Sequence, residues 1–287
     1  MSAIAGFRDA VALEPLGDDV FVARTQPVPW PKSYGGDLLA QAAAAAIRTV
    51  GPDRALHATH SLFVAPASIG AELRCEVERL RDGRSYSTRR VTLREGERVV
   101  LSAMLSFHVG EASPRRSAIA PPAGDPSTLE PAADRLAGVE DPGFVDYWAR
   151  GRSFDIRHDG RALYAQPVGE PSGEMRLWLR SLEELGDDPD THRLALVYAC
   201  DYAMLEPALR AEGYAWTDAG LVTASLDHSL WFHEELRADR WLLCALRLVS
   251  HSHGRALVQG EFFAEDGTHV ATVAQQGMIR RLAGSAH

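Results

Sequence analysis

The sequence predicts an α+β protein made of two similar halves, each with one helix followed by a run of antiparallel strands. Two features lead to this prediction. Short sequence matches recur in the same order in both halves, and in each half a helical apolar period gives way to a period of two. The chain has 287 residues, 46% hydrophobic and 24% charged, which suits two domains of ordinary globular composition.

Two short motifs recur at a nearly constant spacing. His60-Ser61-Leu62 stands 168 positions before His228-Ser229-Leu230, and Gly83, Arg84 and Gly96 stand 171 positions before Gly254, Arg255 and Gly267. A spacing that hardly changes indicates a duplicated domain. The segment 112–143 between the copies is rich in Pro, Ala, Ser, Gly and Asp, as linkers are. We therefore predict an N-terminal domain over 1–111, a linker over 112–143 and a C-terminal domain over 144–287.

Each half carries one helical pattern ahead of its strand patterns. Residues 35–50 are dense in alanine and apolar nearly all round, which predicts a buried helix, and residues 196–213 show apolar residues at helical spacing. Strands are predicted where apolar residues alternate with polar ones, as at Leu73, Cys75 and Val77 and at Leu242, Cys244, Leu246 and Leu248. The pair Asp266-Gly267 predicts a hairpin in the second half.

Charge and cysteine content exclude several classes of function. With 30 basic and 39 acidic residues, the formal charge is −9, so the chain has no basic field for nucleic-acid binding. Its three cysteines are few and scattered, which favours reduced thiols and a cytoplasmic protein. Arg8 and Asp9 interrupt the apolar run that a signal peptide needs, and no stretch is apolar over the roughly 20 residues of a membrane span.

Motif searches find no common catalytic signature. The chain lacks GxSxG, GxGxxG, P-loop and HExxH patterns. The sequences HATH at 57–60 and HSH at 251–253 do not indicate a metal site, because His57 and His60 are expected on opposite faces of a strand and no Cys or acidic residue lies nearby.

Six ordered motifs resemble acyl-CoA thioesterase II and together span about residues 10–283. They are YGGDLLAQAAAAA, HATHSLFVAPAS and LRDGRSYSTRRV in the first half, and YACDYAML, ASLDHSLWFH and VQGEFFAEDGTHVATVAQQG in the second. The resemblance implies a double hot dog fold, in which each half wraps an antiparallel sheet around a central helix. It also implies hydrolysis of acyl-CoA to free fatty acid and CoA, without metal or organic cofactor, and assembly into a homodimer or larger homo-oligomer.

The resemblance implies three catalytic residues, Asp201, Ser225 and Gln275. Gln276 is set aside, because alternation along a strand turns it to the other face. A thioester carbonyl is electrophilic enough for direct attack by water, so a carboxylate base suffices. We expect Asp201 to accept the proton of a water that Ser225 and Gln275 hold in place.

The first half is expected to lack this set. By the two offsets, Met104 stands in place of Gln275 and His57 in place of Ser225. The C-terminal domain is therefore predicted to carry the one site of the chain. Asp37, where the family more often has Gln, is interpreted as a helix N-terminal charge that the macrodipole favours.

Other interpretations of these residues stay open. Cys200 beside Asp201 is a weaker candidate nucleophile, since buried thiols are commonly inert. Asp227 and His228 are interpreted as structural, because adjacent strand residues point apart. The chain could also be a non-catalytic hot dog protein that binds acyl-CoA or an acyl carrier, or an enzyme resembling enoyl-CoA hydratase.

Overall fold

Thirteen antiparallel strands form one continuous sheet in the computed structural model, which describes residues 6–164 and 171–282. The strands are β1 (Glu14–Gly17), β2 (Val20–Arg24), β3 (Ala55–Phe63), β4 (Glu72–Asp82), β5 (Tyr86–Glu95), β6 (Arg98–His108), β7 (Phe154–Asp159), β8 (Glu174–Ser181), β9 (Leu221–Ser225), β10 (Asp227–Phe232), β11 (Leu242–Ser252), β12 (Arg255–Ala264) and β13 (His269–Arg281). The helices are α1 (Phe7–Ala10), α2 (Gly35–Ile47), α3 (Ala132–Arg135), α4 (Pro142–Asp146), α5 (Pro189–Ala199) and α6 (Glu206–Glu212). A π-helical turn covers Tyr147–Gly151 and a 3₁₀ turn covers Cys200–Tyr202.

The two halves join edge to edge in the middle of the sheet. The strand order is β1-β2-β4-β5-β6-β3-β10-β13-β12-β11-β8-β7, with β9 also paired to β13. The central pair, β3 and β10, therefore links one half to the other. The predicted α+β class, with one buried helix against the strands of each half, is confirmed.

Helix α2 lies in the core, as its composition predicts. Alanine is the best helix former, and the run from Ala42 to Ala46 is almost fully buried. The small side chains let α2 approach both the sheet and α5 closely. Asp37 and Gln41 on the same helix are also fully buried. Among the described residues, no helix combines the length and the apolar character of a membrane span.

The second helix differs from the prediction of one helix over 196–213. Helix α5 begins earlier, at Pro189, where the side chain of Asp188 accepts hydrogen bonds from the backbone N–H groups of Asp190 and Thr191. It ends at Ala199, and the chain passes through the 3₁₀ turn before α6. Pro207 explains the interruption, because proline lacks the N–H that a continuous helix needs and fits only in the first turn of α6.

The sequence offset of 168 between the halves is wrong by one residue. In the central strand pair His60 lies opposite Ser229, and Ser61 lies opposite His228. Directly opposed residues share a face of the sheet. His228 is buried and His60 exposed, so the two copies of the motif point to opposite faces. A shift of one residue reverses the face of every side chain in a strand.

The prediction that His57 and His60 point to opposite faces is also wrong. A bulge between Leu56 and Ala58 adds one residue to β3. Nε2 of His57 lies 2.8 Å from Oγ of Ser106, and Nδ1 of His60 lies 3.0 Å from Oγ of Ser229, both on the outer face. Among the residues that the structure describes, no group of three His, Cys, Asp or Glu side chains is arranged to hold a metal.

Candidate active site

A cleft of about 1180 Å³ lies where the two halves meet. Both halves contribute to its wall. The first half supplies residues 29–35 with Leu38 and residues 63–67; the rest comes from 138–141, Phe144, Trp148, Asp201, Tyr202, Leu205, Trp216, Thr217, 221–226, Gln275 and Met278. The lining is mainly apolar and aromatic, with a few polar groups, as is common in small-molecule sites.

Asp201, Ser225 and Gln275 form one hydrogen-bonded row in this cleft. Nε2 of Gln275 donates to Oγ of Ser225 at 2.9 Å, and Oγ of Ser225 donates to Oδ1 of Asp201 at 3.2 Å. The structure therefore brings together the three residues selected from the sequence. Gln275 is 1% exposed, whereas Asp201 and Ser225 are half-buried at the cleft wall.

Three different elements position this row. Asp201 lies in the 3₁₀ turn after α5 and not on a helix of its own, because the interruption before Pro207 turns the chain there. Ser225 ends β9, and Gln275 lies on β13, where Gly277 pairs with Ser225. A β-carbon at Gly277 would collide with the side chain of Leu205, so glycine lets the segment after Asp201 pack against β13.

The N-terminus of α2 completes the site from the first half. A β-carbon at Gly35 would collide with Oδ2 of Asp201, and one at Gly36 would collide with the backbone oxygen of Tyr198. The two glycines therefore allow the helix end to reach the carboxylate. The backbone N–H of Gly36 donates a hydrogen bond to Asp201. The positive end of a 13-residue helix thus faces the carboxylate.

The pKa of the Asp201 carboxyl group lies in the mildly acidic range. Burial raises the pKa of its carboxyl group from 3.8 to about 6. Hydrogen bonds from Gln275 and Ser225, the positive charge of Lys32 and the Gly36 amide all limit this rise. The side chain is therefore mostly a carboxylate at neutral pH, with a basicity suited to proton transfer.

Lys32 and Tyr34 also line the cleft; Tyr34 begins the motif YGGDLLAQAAAAA, but the sequence assigned no role to either residue. Nζ of Lys32 donates to the backbone oxygen of Thr223 at 2.8 Å. The hydroxyl of Tyr34 donates to the backbone oxygen of Tyr198 at 2.8 Å, and its ring stacks on Tyr202 at 4.4 Å. These contacts fasten the loop before α2 to the second half. The one available sequence signal was that the chain contains no other lysine than Lys32.

The matching positions of the first half are occupied by leucines. The pair Leu56 and Phe107 corresponds to Ser225 and Gly277. The first pair stands directly before the bulge in β3, and the second stands before the point where pairing with β13 passes from β9 to β10 with a shift of one residue. Leu56 therefore takes the place of Ser225, and Leu105, two residues before Phe107, takes the place of Gln275. Both leucines are about 1% exposed. The alignments to His57 and Met104 are wrong, yet no polar row exists at these first-half positions.

His57 and Asp37 lie outside the row. The ring of His57 contacts Tyr86 and His108 on the outer face and does not line the cleft. Asp37 occupies the first turn of α2, as predicted for a helix N-terminal charge, but it is fully buried. Oδ2 of Asp37 accepts a hydrogen bond from the backbone N–H of Gln26 at 2.7 Å. Burial raises the pKa of this carboxyl group to about 7.

Cys200 has a histidine neighbour, but the pair does not suit nucleophilic catalysis. Sγ of Cys200 lies 3.1 Å from Nε2 of His228. Burial raises the pKa of the thiol well above its usual value and lowers the pKa of His228 to about 3. Both groups are therefore neutral at physiological pH, and neither lines the cleft.

Comparison with known proteins identifies the family. The family model of the acyl-CoA thioesterase N-terminal domain matches residues 26–108, and that of the C-terminal domain matches residues 124–279. Acyl-CoA thioesterase 2 of Haemophilus influenzae is 28% identical over 93% of this chain and 94% of its own length. Acyl-coenzyme A thioesterase 8 of Homo sapiens is 29% identical over 93% of this chain and 86% of its own length.

A solved structure extends the likeness to the fold. Acyl-CoA thioesterase II TesB2 of Mycobacterium marinum matches with a TM-score of 0.78 and 29% identity, over 97% of this chain and 99% of that one. The predicted double hot dog fold and the resemblance to thioesterase II are thereby confirmed. The chain belongs to the acyl-CoA thioesterase family.

Proposed function

We propose that the chain hydrolyses acyl-CoA thioesters, with Asp201 as general base and with Ser225 and Gln275 positioning the attacking water. The observation that carries this proposal is the hydrogen-bonded row of these three side chains in the wall of a largely apolar cleft. Relatives of the chain that are named acyl-CoA thioesterase, and are similar to it over nearly its whole length, support the same reaction.

The row leaves acceptors for a water molecule. The hydroxyl proton of Ser225 is directed to Asp201, so Ser225 positions the water indirectly, by fixing the carboxylate that binds it. Oε1 of Gln275 is buried and accepts no hydrogen bond from the residues that the structure describes. Gln275 lines the cleft, so a turn of its amide would bring Oε1 within reach of a water that donates its other hydrogen to Asp201, and the lone pair of that water would be directed into the cleft.

Hydrolysis then follows in two steps. Water attacks the thioester carbonyl as Asp201 takes its proton, and a tetrahedral oxyanion forms. The carbon–sulfur bond breaks, and the leaving CoA thiolate takes the proton that Asp201 accepted from water, so that acyl-CoA and water give a carboxylic acid and CoA and Asp201 is again a carboxylate. Because the amide of Gly36 donates to Asp201, the other N-terminal amides of α2 are the proposed donors for the oxyanion, and the helix dipole adds positive potential there.

The cleft suits an apolar acyl group. Trp30, Phe63, Phe144, Trp148 and Met278 line it, and these side chains bury hydrocarbon without requiring a hydrogen bond from it. The volume of about 1180 Å³ exceeds what water and a small acid would fill. We therefore propose fatty acyl-CoA as the substrate class.

A thiol-release assay tests the function. Purified protein is incubated with acyl-CoAs of increasing chain length, and free CoA is detected with a thiol reagent. We expect catalytic release of thiol from at least one chain length. Tight binding of acyl-CoA without thiol release would instead indicate a binding protein, and hydration of enoyl-CoA without release of CoA would indicate a hydratase.

Three further properties belong to the same proposal. We place the protein in the cytoplasm, supported by three cysteines that are all free and buried. We propose a homodimer or larger homo-oligomer, and a division into domains at 1–111 and 144–287 around a linker at 112–143. The separate family models for residues 26–108 and 124–279 support two domains, and the second model begins inside the proposed linker.

A further inference from the structure

Lys32 is the single lysine of the chain, and the other 29 of its 30 basic residues are arginines. It lies in the loop before α2, half-buried, and lines the cleft together with Asp201. Every other basic position of this protein is therefore an arginine. The one lysine lines the same cleft as Asp201, the proposed base.

The backbone holds the ammonium group of Lys32 in a defined place. Nζ donates to the backbone oxygen of Thr223, two residues before Ser225 on β9. An ammonium group carries three N–H donors, so this bond leaves two for groups in the cleft. Lys32 thus joins the loop of the first half to the strand that carries Ser225.

Lys32 is the only cationic side chain in the described lining of the cleft. The acidic side chains of that lining are Glu140, Asp141 and Asp201. The phenols of Tyr34 and Tyr202 and the thiol of Cys200 also lie near Asp201, but burial raises the pKa of each, so all three are neutral at pH 7. The neutral side chains of Ser225 and Gln275 complete the contacts of Asp201. Among these side chains, only Lys32 brings positive charge to Asp201.

The interaction between Lys32 and Asp201 is mutual. The positive charge of Lys32 lowers the pKa of Asp201, and the negative charge of Asp201 opposes the fall that burial imposes on the pKa of Lys32. Because the two groups are coupled, removal of either one must shift the pKa of the other.

We propose that Lys32 is a positioning residue that keeps Asp201 in the carboxylate form needed to accept a proton from water. This role rests on the proposed function of Asp201. A lysine suits it better than an arginine, because a guanidinium binds a carboxylate through two parallel hydrogen bonds and would occupy the oxygens that the water needs. An ammonium anchored on Thr223 supplies charge from one side only.

The pH dependence of kcat/KM tests this role. In Lys32→Met the acidic limb of the profile is expected to move up by about one pH unit, from a pKa of about 6 in wild type, so the variant loses roughly fivefold more activity at pH 6 than at pH 9. Lys32→Arg keeps the positive charge, so its acidic limb should not move up, although its activity should fall at every pH because the guanidinium occupies the carboxylate oxygens. Arg115→Met removes the same charge from an exposed site and serves as the control. If Lys32→Met lost activity equally at every pH, or if its acidic limb did not move, the proposal would be overturned.

A spectroscopic measurement tests the coupling without relying on activity or on the folding of a Lys32 variant. Because the chain has one lysine, labelling lysine with ¹³C at Cε gives a single side-chain signal whose titration reports on Lys32. In Asp201→Asn its midpoint is expected to fall by roughly one pH unit, whereas Asp187→Asn, at a 98% exposed carboxylate, should not move it.

The two measurements separate failure of this role from failure of the proposed function. An unchanged Lys32 midpoint in Asp201→Asn, in a variant that has lost turnover, would refute the role of Lys32 alone. Retained turnover in Asp201→Asn would refute Asp201 as the base, whatever the midpoint shows.

Discussion

Gly35 and Asp201 lie so close together that a β-carbon at Gly35 would collide with Oδ2 of Asp201. These residues belong to different halves and stand 166 positions apart in the sequence. The proposed base and the helix end that faces it therefore come from different copies of the repeat. The site depends on the packing of one half against the other.

Gly35→Ala is expected to lower kcat at least tenfold, because the added methyl group must displace the carboxylate or the helix end, and small misplacements of catalytic groups cost up to about 100-fold. Steady-state kinetics with an acyl-CoA substrate give the value. Gly17→Ala is the matched control, since nothing lies within 4 Å of a β-carbon at that position. Equal activity of the two variants would show that the contact has no role in turnover.

Gln275→Ala is expected to lower kcat by roughly 10- to 100-fold and to change KM much less, because a group that positions water acts mainly on the transition state. Gln276→Ala serves as the control. The backbone N–H of Gln276 donates to Asp227, and that bond survives removal of the side chain. If Gln275→Ala changed KM alone, Gln275 would be a substrate-binding residue.

His57→Ala is expected to keep kcat within about tenfold of wild type, far less than loss of a catalytic base costs. His57 bonds to Ser106 on the outer face and does not line the cleft. Kinetics with circular dichroism as a folding control decide the question. A thousandfold loss in a folded variant would mean that the outer face of β3 takes part in the reaction.

Asp37→Asn is expected to stabilise the protein at pH 8. A carboxyl group whose pKa is higher in the folded than in the unfolded state contributes stability below its unfolded pKa, and that stability is lost as the pH rises through its folded pKa. For Asp37 the relevant window runs from about 4 to about 7. The rise from 3.8 to about 7 corresponds to on the order of 4 kcal/mol, at about 1.4 kcal/mol per pH unit.

Urea unfolding of wild type and Asp37→Asn between pH 4 and pH 8 measures this effect. The asparagine can still accept the hydrogen bond from Gln26, so the variant isolates the buried charge. The stability difference should shift in favour of the variant as the pH rises to about 7 and then level off. A difference independent of pH would show that the carboxyl group of Asp37 does not titrate in this window.

Local patterns in the sequence predicted much of the fold. The alanine run predicted the buried helix α2, and alternation at Leu242, Cys244 and Leu246 predicted strand β11. The end of α5 was missed, because the apolar period continues through Pro207 while the proline prevents the helix from doing so. The signals at Asp188 and Pro189 for an earlier start were present in the sequence.

Strand register and the contacts between the two halves could not be predicted from local sequence patterns. Matching His60 to His228 placed the repeat one residue out of register, because a short motif does not record a bulge. The motifs selected Asp201, Ser225 and Gln275, which the fold then brings together. Lys32 could not be placed beside Asp201 from the sequence, since only tertiary packing joins the loop before α2 to β9.

The kcat of Asp201→Asn tests the central claim most directly. The amide keeps the shape of the side chain and can still accept the hydrogen bond from Ser225, but it cannot take a proton from water. The measurement is the rate of CoA release from saturating acyl-CoA, with circular dichroism to confirm folding. We predict a loss of 10²- to 10⁴-fold, about the range of general base catalysis. A folded variant that retains more than about a tenth of the wild-type kcat would contradict Asp201 as the base.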